Sequence, residues 1–155
     1  MSRVTVKDQG ADELLHRARK GGTQIVRVGI LADQPKKDRD GGVGKLSLVE
    51  VAALHEFGAP GANIPQRSFI RATVDAHKAD IEALQTKLAA RVVAGKIDEK
   101  TALELLGAKV VALVQNTINA GIAPPLKPET INRKGSSKPL IDVGQLKSSV
   151  TSEVR

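Results

Sequence analysis

The sequence predicts an α+β fold: a small, mostly antiparallel β-sheet packed against two long antiparallel α-helices, with extended loops between the elements. Three observations carry this prediction. Short β-branched runs lie towards both ends of the chain, two long segments repeat apolar residues at helical spacing, and only a short "AGKI" link separates those segments. The chain has 155 residues, the size of one domain, and we expect residues 1–155 to form a single one.

The first third of the chain predicts two strands with a helix between them. "RVTVKD" alternates apolar and polar residues, and "TQIVRVGIL" is rich in β-branched residues, so both read as strands. Between them, "GADELLHRARKGG" has apolar residues at helical spacing and ends in two glycines. The stretch 33–45 is charged and rich in glycine, which predicts a long mobile loop or the tip of a hairpin.

A short helix and a tight turn come next. In "LVEVAALHEF", Ser47 and Glu50 have the spacing of a capping box, and Gly58 is the expected end of the helix. "GAPGANIP" then turns the chain, and Pro65 restricts Ile64 to an extended conformation. We expect "RSFIR" to start the first long helix with its apolar pair facing inward.

The two long helices differ in sequence but share the same periodicity. The second opens at Asp98 and runs to Gly121. Beyond Pro124, the segment 124–145 is predicted to be extended and polar, and "SSVTSEV" alternates as a terminal strand does. The first long helix is predicted from apolar residues and one histidine that recur every three or four positions: Ile70, Val74, His77, Ile81, Leu84, Leu88 and Val92.

Composition excludes several classes of function. The chain has no Cys, which removes disulfides, thiolate nucleophiles and cysteine zinc sites. It has no Trp or Tyr and only two Phe, so it offers almost no aromatic platform on which single-stranded nucleic acid could stack. No apolar run approaches the length of a membrane span, and we expect no membrane contact. The net charge of +7 keeps a duplex DNA partner open.

Two short motifs resemble catalytic signatures, but neither is complete. A zinc-protease helix needs a second His four positions after His55, where this chain has Ala59. A phosphate-binding loop is suggested by "RDGGVGKLS", but Arg39 replaces its first glycine and Leu46 replaces the hydroxyl residue that would hold magnesium. We therefore predict a protein that is not an enzyme and uses no cofactor and no metal.

Two segments resemble a family of small virion proteins of tailed bacteriophages. "VAALHEFGAPGANIPQRSFIR" is similar to that family's apolar helix, Glu-(Phe or Tyr)-Gly, a short turn, and Ile-Pro-x-Arg-(Pro or Ser)-Phe-(Leu or Ile)-Arg. "TINRKGSSKPLIDVGQLKSSVTSEV" is similar to its ending, with Thr-x-x-x-Lys-Gly, Pro-Leu, Asp-Thr-Gly-x-Leu and a terminal strand. Val143 departs from the Thr that is usual there. The resemblance covers about two-thirds of the chain, from Val51 onward.

The resemblance implies a head–tail connector or tail-completion protein that joins head and tail in the virion. Such a protein is made in the cytoplasm of the bacterial host, catalyses nothing, and forms a homo-oligomeric ring, hexameric or dodecameric, at the neck or tail terminus. Its partners would be the adjacent neck, tail-tube or connector proteins, and the passing DNA is an additional candidate contact. The alternative that the charge leaves open is a small basic DNA-binding accessory protein.

The two segments also hold the residues that we expect to set the subunit's shape or to lie at its interfaces. Ordinary core packing remains an alternative for the two phenylalanines. Arg67 and Arg71 lie four apart at the expected start of a helix, where cations oppose the helix dipole, so we expect acidic partners within the subunit or across an interface. The candidate residues are Phe57, Gly58, Pro65, Arg67, Phe69, Ile70, Arg71, Lys134, Pro139, Leu140, Gly144 and Leu146.

Overall fold

The computed structural model describes residues 24–32, 35–37, 43–134, 140 and 144–155. The predicted strand "RVTVKD" and the predicted helix in "GADELLHRARKGG" lie outside the described residues. Within them the fold is α+β, as predicted, with helices packed on a small antiparallel sheet. The helices are α1 (Leu48–Phe57), α2 (Arg71–Ala76), α3 (Lys78–Val93), α4 (Glu99–Ala120), α5 (Pro128–Lys134) and α6 (Gln145–Ser148).

The main sheet joins the two predicted strands that lie furthest apart among the described residues. β1 (Val26–Gly29) pairs antiparallel with β4 (Thr151–Val154), and Val26 lies opposite Val154. Ile25 and Arg155 extend the ladder by two backbone hydrogen bonds of 2.8 and 2.9 Å. The second antiparallel pair joins β2 (Pro35–Lys37) to β3 (Val43–Ser47), so described parts of the stretch 33–45 form strands. Residues 38–42 of that stretch lie outside the described residues.

The predicted ends of α1 and α4 are confirmed by their caps. At α1, the Glu50 amide donates to Ser47 Oγ at 3.2 Å, and the Ser47 amide donates to Glu50 Oε2 at 2.8 Å, which completes the capping box. At α4, Asp98 Oδ1 accepts from the Thr101 amide at 2.7 Å. Gly58 and Gly121 follow the last helical residues of α1 and α4.

The prediction of one continuous helix from Ile70 to Val92 is wrong. The chain forms α2 and α3, separated at His77, whose φ of −111° and ψ of 18° are not helical. Helical hydrogen bonds continue across the break, since the His77 amide donates to the Thr73 carbonyl and the His77 carbonyl accepts from the Ile81 amide, both at 3.0 Å. The apolar spacing of the sequence also runs through His77, so periodicity alone could not reveal the break.

The prediction of an extended segment at 124–145 also needs correction. Residues 128–134 form α5, with Pro128 at its first helical position, where the missing N–H costs nothing. The short helix α6 begins at Gln145, just before the terminal strand. Among the described residues, no helix combines the length and the apolar character that a bilayer crossing requires.

The long helix α4 is the centre of the core. It packs against β1 and β4 on one side and against α2 and α3 on another. Its inward face carries Leu106, Val110, Val114 and Ile118, all buried. The buried residues form two hydrophobic clusters. The first contains Phe69, Val114 and Ile118, and the second contains Leu88, Ala102 and Leu106. Ile81 packs against both clusters.

Gly107 lets α4 approach the sheet closely. A Cβ atom at this position would lie 2.7 Å from Ser152 Cβ and 2.8 Å from Val26 Cγ2, well inside van der Waals contact. The glycine lies in the middle of a helix, where it lowers intrinsic helical stability by about 1 kcal/mol relative to Ala. The close contact with both β1 and β4 is the structural reason for placing it there.

We expect Gly107→Val to lower the free energy of unfolding by about 1–3 kcal/mol or more, because the added methyl groups overpack the contact between α4 and the sheet. Ala108→Val is the matched control, since Ala108 is exposed on the same helix and the exchange there costs under about 0.7 kcal/mol. Denaturation in urea measures both values. Equal losses in the two variants would show that Gly107 is not under steric constraint.

Candidate functional site

The chain between α1 and α2 forms a rigid corner, which we define as residues 56–71. Gly58 starts it with a φ of +75°, and a Cβ there would meet the Gln66 backbone nitrogen at 2.9 Å. The backbones of Ala59 and Ile64 exchange hydrogen bonds of 2.8 and 3.1 Å across the turn. The Arg67 amide then donates to the His55 carbonyl at 2.7 Å, which returns the chain to the end of α1.

The carboxylate of Glu56 holds the corner to the start of α2. Its Oε2 accepts from the amides of Phe69 and Ile70 at 2.8 and 3.0 Å. Its Oε1 accepts from Ser68 Oγ at 2.6 Å and from the Arg71 amide at 3.0 Å. Glu56 is 8% exposed. It therefore satisfies helix-start N–H groups from a position far back in the sequence, where a local N-cap residue would usually do so.

These contacts also set the ionisation of Glu56. Burial raises the pKa of its carboxyl group, but the hydrogen bonds from Ile70, Ser68, Arg71 and Phe69 outweigh burial and hold the pKa below the ordinary value of 4.5. The negative charge also lies at the positive end of the α2 dipole. Glu56 is thus an ionised, structural carboxylate.

Arg67 is the second buried charge of the corner, and it is 5% exposed. Its Nε donates to the Pro124 carbonyl at 2.9 Å and its Nη2 donates to the Pro125 carbonyl at 3.4 Å. These bonds tie the corner to the chain that follows α4. Burial lowers the pKa of the guanidinium below its ordinary value, and arginine nevertheless stays charged in proteins.

A groove opens beside Arg67, and residues of the segments 51–71 and 130–154 line it together. Its lining includes residues of the corner and of α1, together with Pro124, Pro125, Leu126, Lys127 and Thr130. Leu140 and α6 close the end. The Gln145 side chain joins this end to β2, since it donates to the Lys37 carbonyl at 3.0 Å and accepts from the Lys37 amide at 2.9 Å.

The structure separates the candidate residues into distinct environments. Phe69 is fully buried in the core, whereas Phe57 is 68% exposed. Core packing is therefore the observed arrangement for Phe69 and the wrong interpretation for Phe57.

Leu140 and Leu146 are buried in the same cluster as Phe69. Pro65 lines the groove, Ile70 is half-buried beside the core, and Gly144 precedes α6.

The expectation for the two arginines is corrected in part. They do not share one side of a helix, because α2 begins only at Arg71 and Arg67 precedes it. Arg71 is exposed. Arg67 has carbonyl partners, and no acidic side chain pairs with it among the described residues. Pro139 and the side chain of Lys134 lie outside the described part of the chain.

Sequence reasoning missed the role of Glu56, whose carboxylate accepts four hydrogen bonds in the corner. The sequence indicates only that Glu56 lies at the end of a helix, whereas the structure buries it on the same helix as Leu48 and Ala52. The sequence did contain a signal. The first backbone N–H groups of the helix that follows Ser68 have no partner within the helix, so they need an acceptor from elsewhere in the chain. Which carboxylate would supply it depends on the turn geometry.

The described residues contain no group of three His, Asp or Glu side chains arranged to hold a metal ion. No protein family, curated protein or solved structure matches the chain in comparisons at a significant level.

We expect Glu56→Gln to lower the free energy of unfolding by about 1–3 kcal/mol, because the new amide NH₂ would face two N–H donors and leave them without an acceptor. Glu104→Gln is the matched control, since Glu104 makes only an exposed pair with Lys100 at 3.8 Å, worth about 0.2–0.5 kcal/mol. Chemical denaturation of the two variants gives the comparison. A loss no larger than that of the control would contradict the role assigned to Glu56.

The lowered pKa of Glu56 also predicts a dependence of stability on pH. A carboxyl whose folded pKa is depressed contributes stability above its unfolded pKa, and this contribution disappears as the pH falls through the folded value. We expect the wild type to lose stability on acidification below about pH 4.5, and Glu56→Gln to lose less over that interval. Unfolding curves recorded from pH 7 downward measure the difference. Parallel pH profiles would refute the assignment.

Proposed function

We propose that this chain is a structural virion protein of a tailed bacteriophage, which forms an oligomeric ring at the head–tail interface or tail terminus and joins head and tail during assembly. This proposal starts from two segments that resemble small virion proteins of tailed bacteriophages. They are "VAALHEFGAPGANIPQRSFIR" and "TINRKGSSKPLIDVGQLKSSVTSEV". We further propose that the chain catalyses nothing and acts through its surfaces.

One observation supports the proposal above the others: residues of both segments meet at one groove. Arg67 of the first segment and Leu146 of the second line it together, although almost eighty positions separate them. In the first segment the motif residues have architectural contacts, since Glu56 caps α2, Gly58 makes the turn and Phe69 fills the core. A motif that builds a fixed corner suits a subunit that must have the same shape at every place in a ring.

A ring needs complementary patches on each subunit, because its contacts are heterologous. Phe57 is 68% exposed, and it lines an apolar hollow together with Ile30, Val49, Ala53 and Ile70. An exposed aromatic side chain and an apolar hollow on the same chain favour contact with a second copy. We propose that this surface lies between neighbouring subunits of the ring.

The net charge of +7 favours a second candidate, a small basic DNA-binding accessory protein. Binding through phosphates would make the affinity for duplex DNA fall steeply as salt rises. Several described cations already have acidic neighbours, such as Lys78 with Glu82 and Lys100 with Glu104, both at 3.8 Å. Undetectable or salt-independent binding to duplex DNA would remove this candidate.

We expect the wild-type chain to form closed rings, in solution or within particles, and Phe57→Ser to weaken ring formation at least about tenfold by removing an apolar anchor. Val93→Ser is the matched control, because Val93 is also an exposed apolar residue but lies at the end of α3. Native mass spectrometry and electron microscopy of the virion neck provide the measurement. A strictly monomeric chain that is found nowhere in virions would refute the proposal.

A further inference from the structure

The guanidinium of Arg67 carries a charge that no described residue neutralises. The side chain is 5% exposed, and the groups that accept from it in the described part of the chain are two neutral carbonyls. Charges buried to this extent in proteins are normally paired with an opposite charge. The carbonyl dipoles satisfy two of its donors but leave the net positive charge in place.

Arg67 has donors that its two carbonyl partners do not use. Its Nε donates to Pro124 and its Nη2 to Pro125, whereas no described group accepts from Nη1. Arg67 is itself one of the residues that line the groove. The two carbonyl bonds fix the plane of the guanidinium, so its remaining N–H groups are held in position before any ligand arrives. A fixed cation with free donors is suited to bind an anion.

The lining around this cation is mixed. Its apolar residues include Leu54, Ile64, Leu126 and Leu146, and its polar ones include Asn63, Gln66 and the exposed Lys127. A ligand that fits must therefore combine a negatively charged oxygen group with apolar substituents on either side. Lys127 is exposed to solvent, so Arg67 is the buried charge that a ligand would neutralise. A single carboxylate matches this one buried charge, whereas a doubly charged phosphate would be desolvated without enough compensation.

We propose that this groove binds an extended peptide that presents a carboxylate between apolar side chains, and that the carboxylate accepts hydrogen bonds from Arg67. The apolar residues of the lining hold the flanking side chains, and Arg67 supplies specificity for the negative charge. The carboxylate comes from an Asp or Glu side chain or from a chain terminus, because both present the same planar acceptor. The proposal follows from the charge and lining of the groove and does not depend on the virion role.

Isovalerate is a minimal probe of this site, because it joins one carboxylate to one branched apolar group. Isovaleramide is the uncharged match. We expect isovalerate to shift the Arg67 side-chain N–H resonance of the ¹⁵N-labelled full chain in a saturable way, and isovaleramide to leave it unchanged. Arg67→Gln should weaken isovalerate binding at least about tenfold, given the strength of hydrogen bonds between charged groups. Arg71→Gln, which removes an exposed arginine, should have no effect.

Three peptides separate the sources of the carboxylate. Leu-Val-Glu-Leu-Val with both ends blocked carries an internal carboxylate, the same peptide with Gln carries none, and the Gln peptide with a free carboxyl end carries a terminal one. Tighter binding of either acidic peptide than of the blocked Gln peptide supports the groove and identifies its source. Equal binding of all three, or no binding of any, overturns the proposal.

The comparison of isovalerate with isovaleramide uses the wild-type chain, so it decides the matter even where Arg67→Gln does not fold. Arg67→Lys is the second variant, because it keeps the charge and removes the planar fork. The chain's own Asp142 is a competing carboxylate in the sequence, which Asp142→Asn tests. Isovalerate binding that appears only after Asp142→Asn would overturn the proposal. If the peptides do not bind but the chain forms rings, the groove proposal fails and the virion proposal stands. If the peptides bind but no rings form, the groove proposal stands and the virion proposal fails.

Discussion

The carboxylate of Glu56 is the contact on which the rest of the corner depends. Four donors from Ser68, Phe69, Ile70 and Arg71 converge on its two oxygens. Three of them are the backbone amides of residues 69–71, which lead into α2, and the Phe69 amide is buried. Through them the end of α1 determines where α2 begins, and α2 in turn places Phe69 in the core beside Val114 and Ile118.

Two opposite charges are buried in this corner, and they do not neutralise each other. Glu56 accepts from N–H groups of α2, while Arg67 donates to carbonyls that follow α4. Each charge therefore fixes a different neighbour, and the corner connects α1, α2 and the chain after α4. The arrangement differs from a buried ion pair, in which the two charges would neutralise each other. It leaves Arg67 with a net charge beside the groove, and this charge is the basis of the proposed recognition of a carboxylate.

Much of the fold follows from local sequence signals. The capping box at Ser47, the cap at Asp98, the stops at Gly58 and Gly121 and the terminal strand are all where their residues predict them. The α+β class and the packed pair α3 and α4 follow from periodicity and a short link. These features depend on residues a few positions apart, so the sequence alone carries the information.

The features that required the tertiary structure depend on contacts across longer separations. The apolar spacing runs unbroken through His77, where the helix breaks, so periodicity could not reveal the break. Phe57 and Phe69 are the same residue type in the same motif, and only the path of the corner decides that one is exposed and the other buried. Likewise, the sequence determined that Glu56 and Arg67 are charged, whereas the turn between them decided their partners, because a carboxylate accepts whichever N–H groups the folded chain brings within reach.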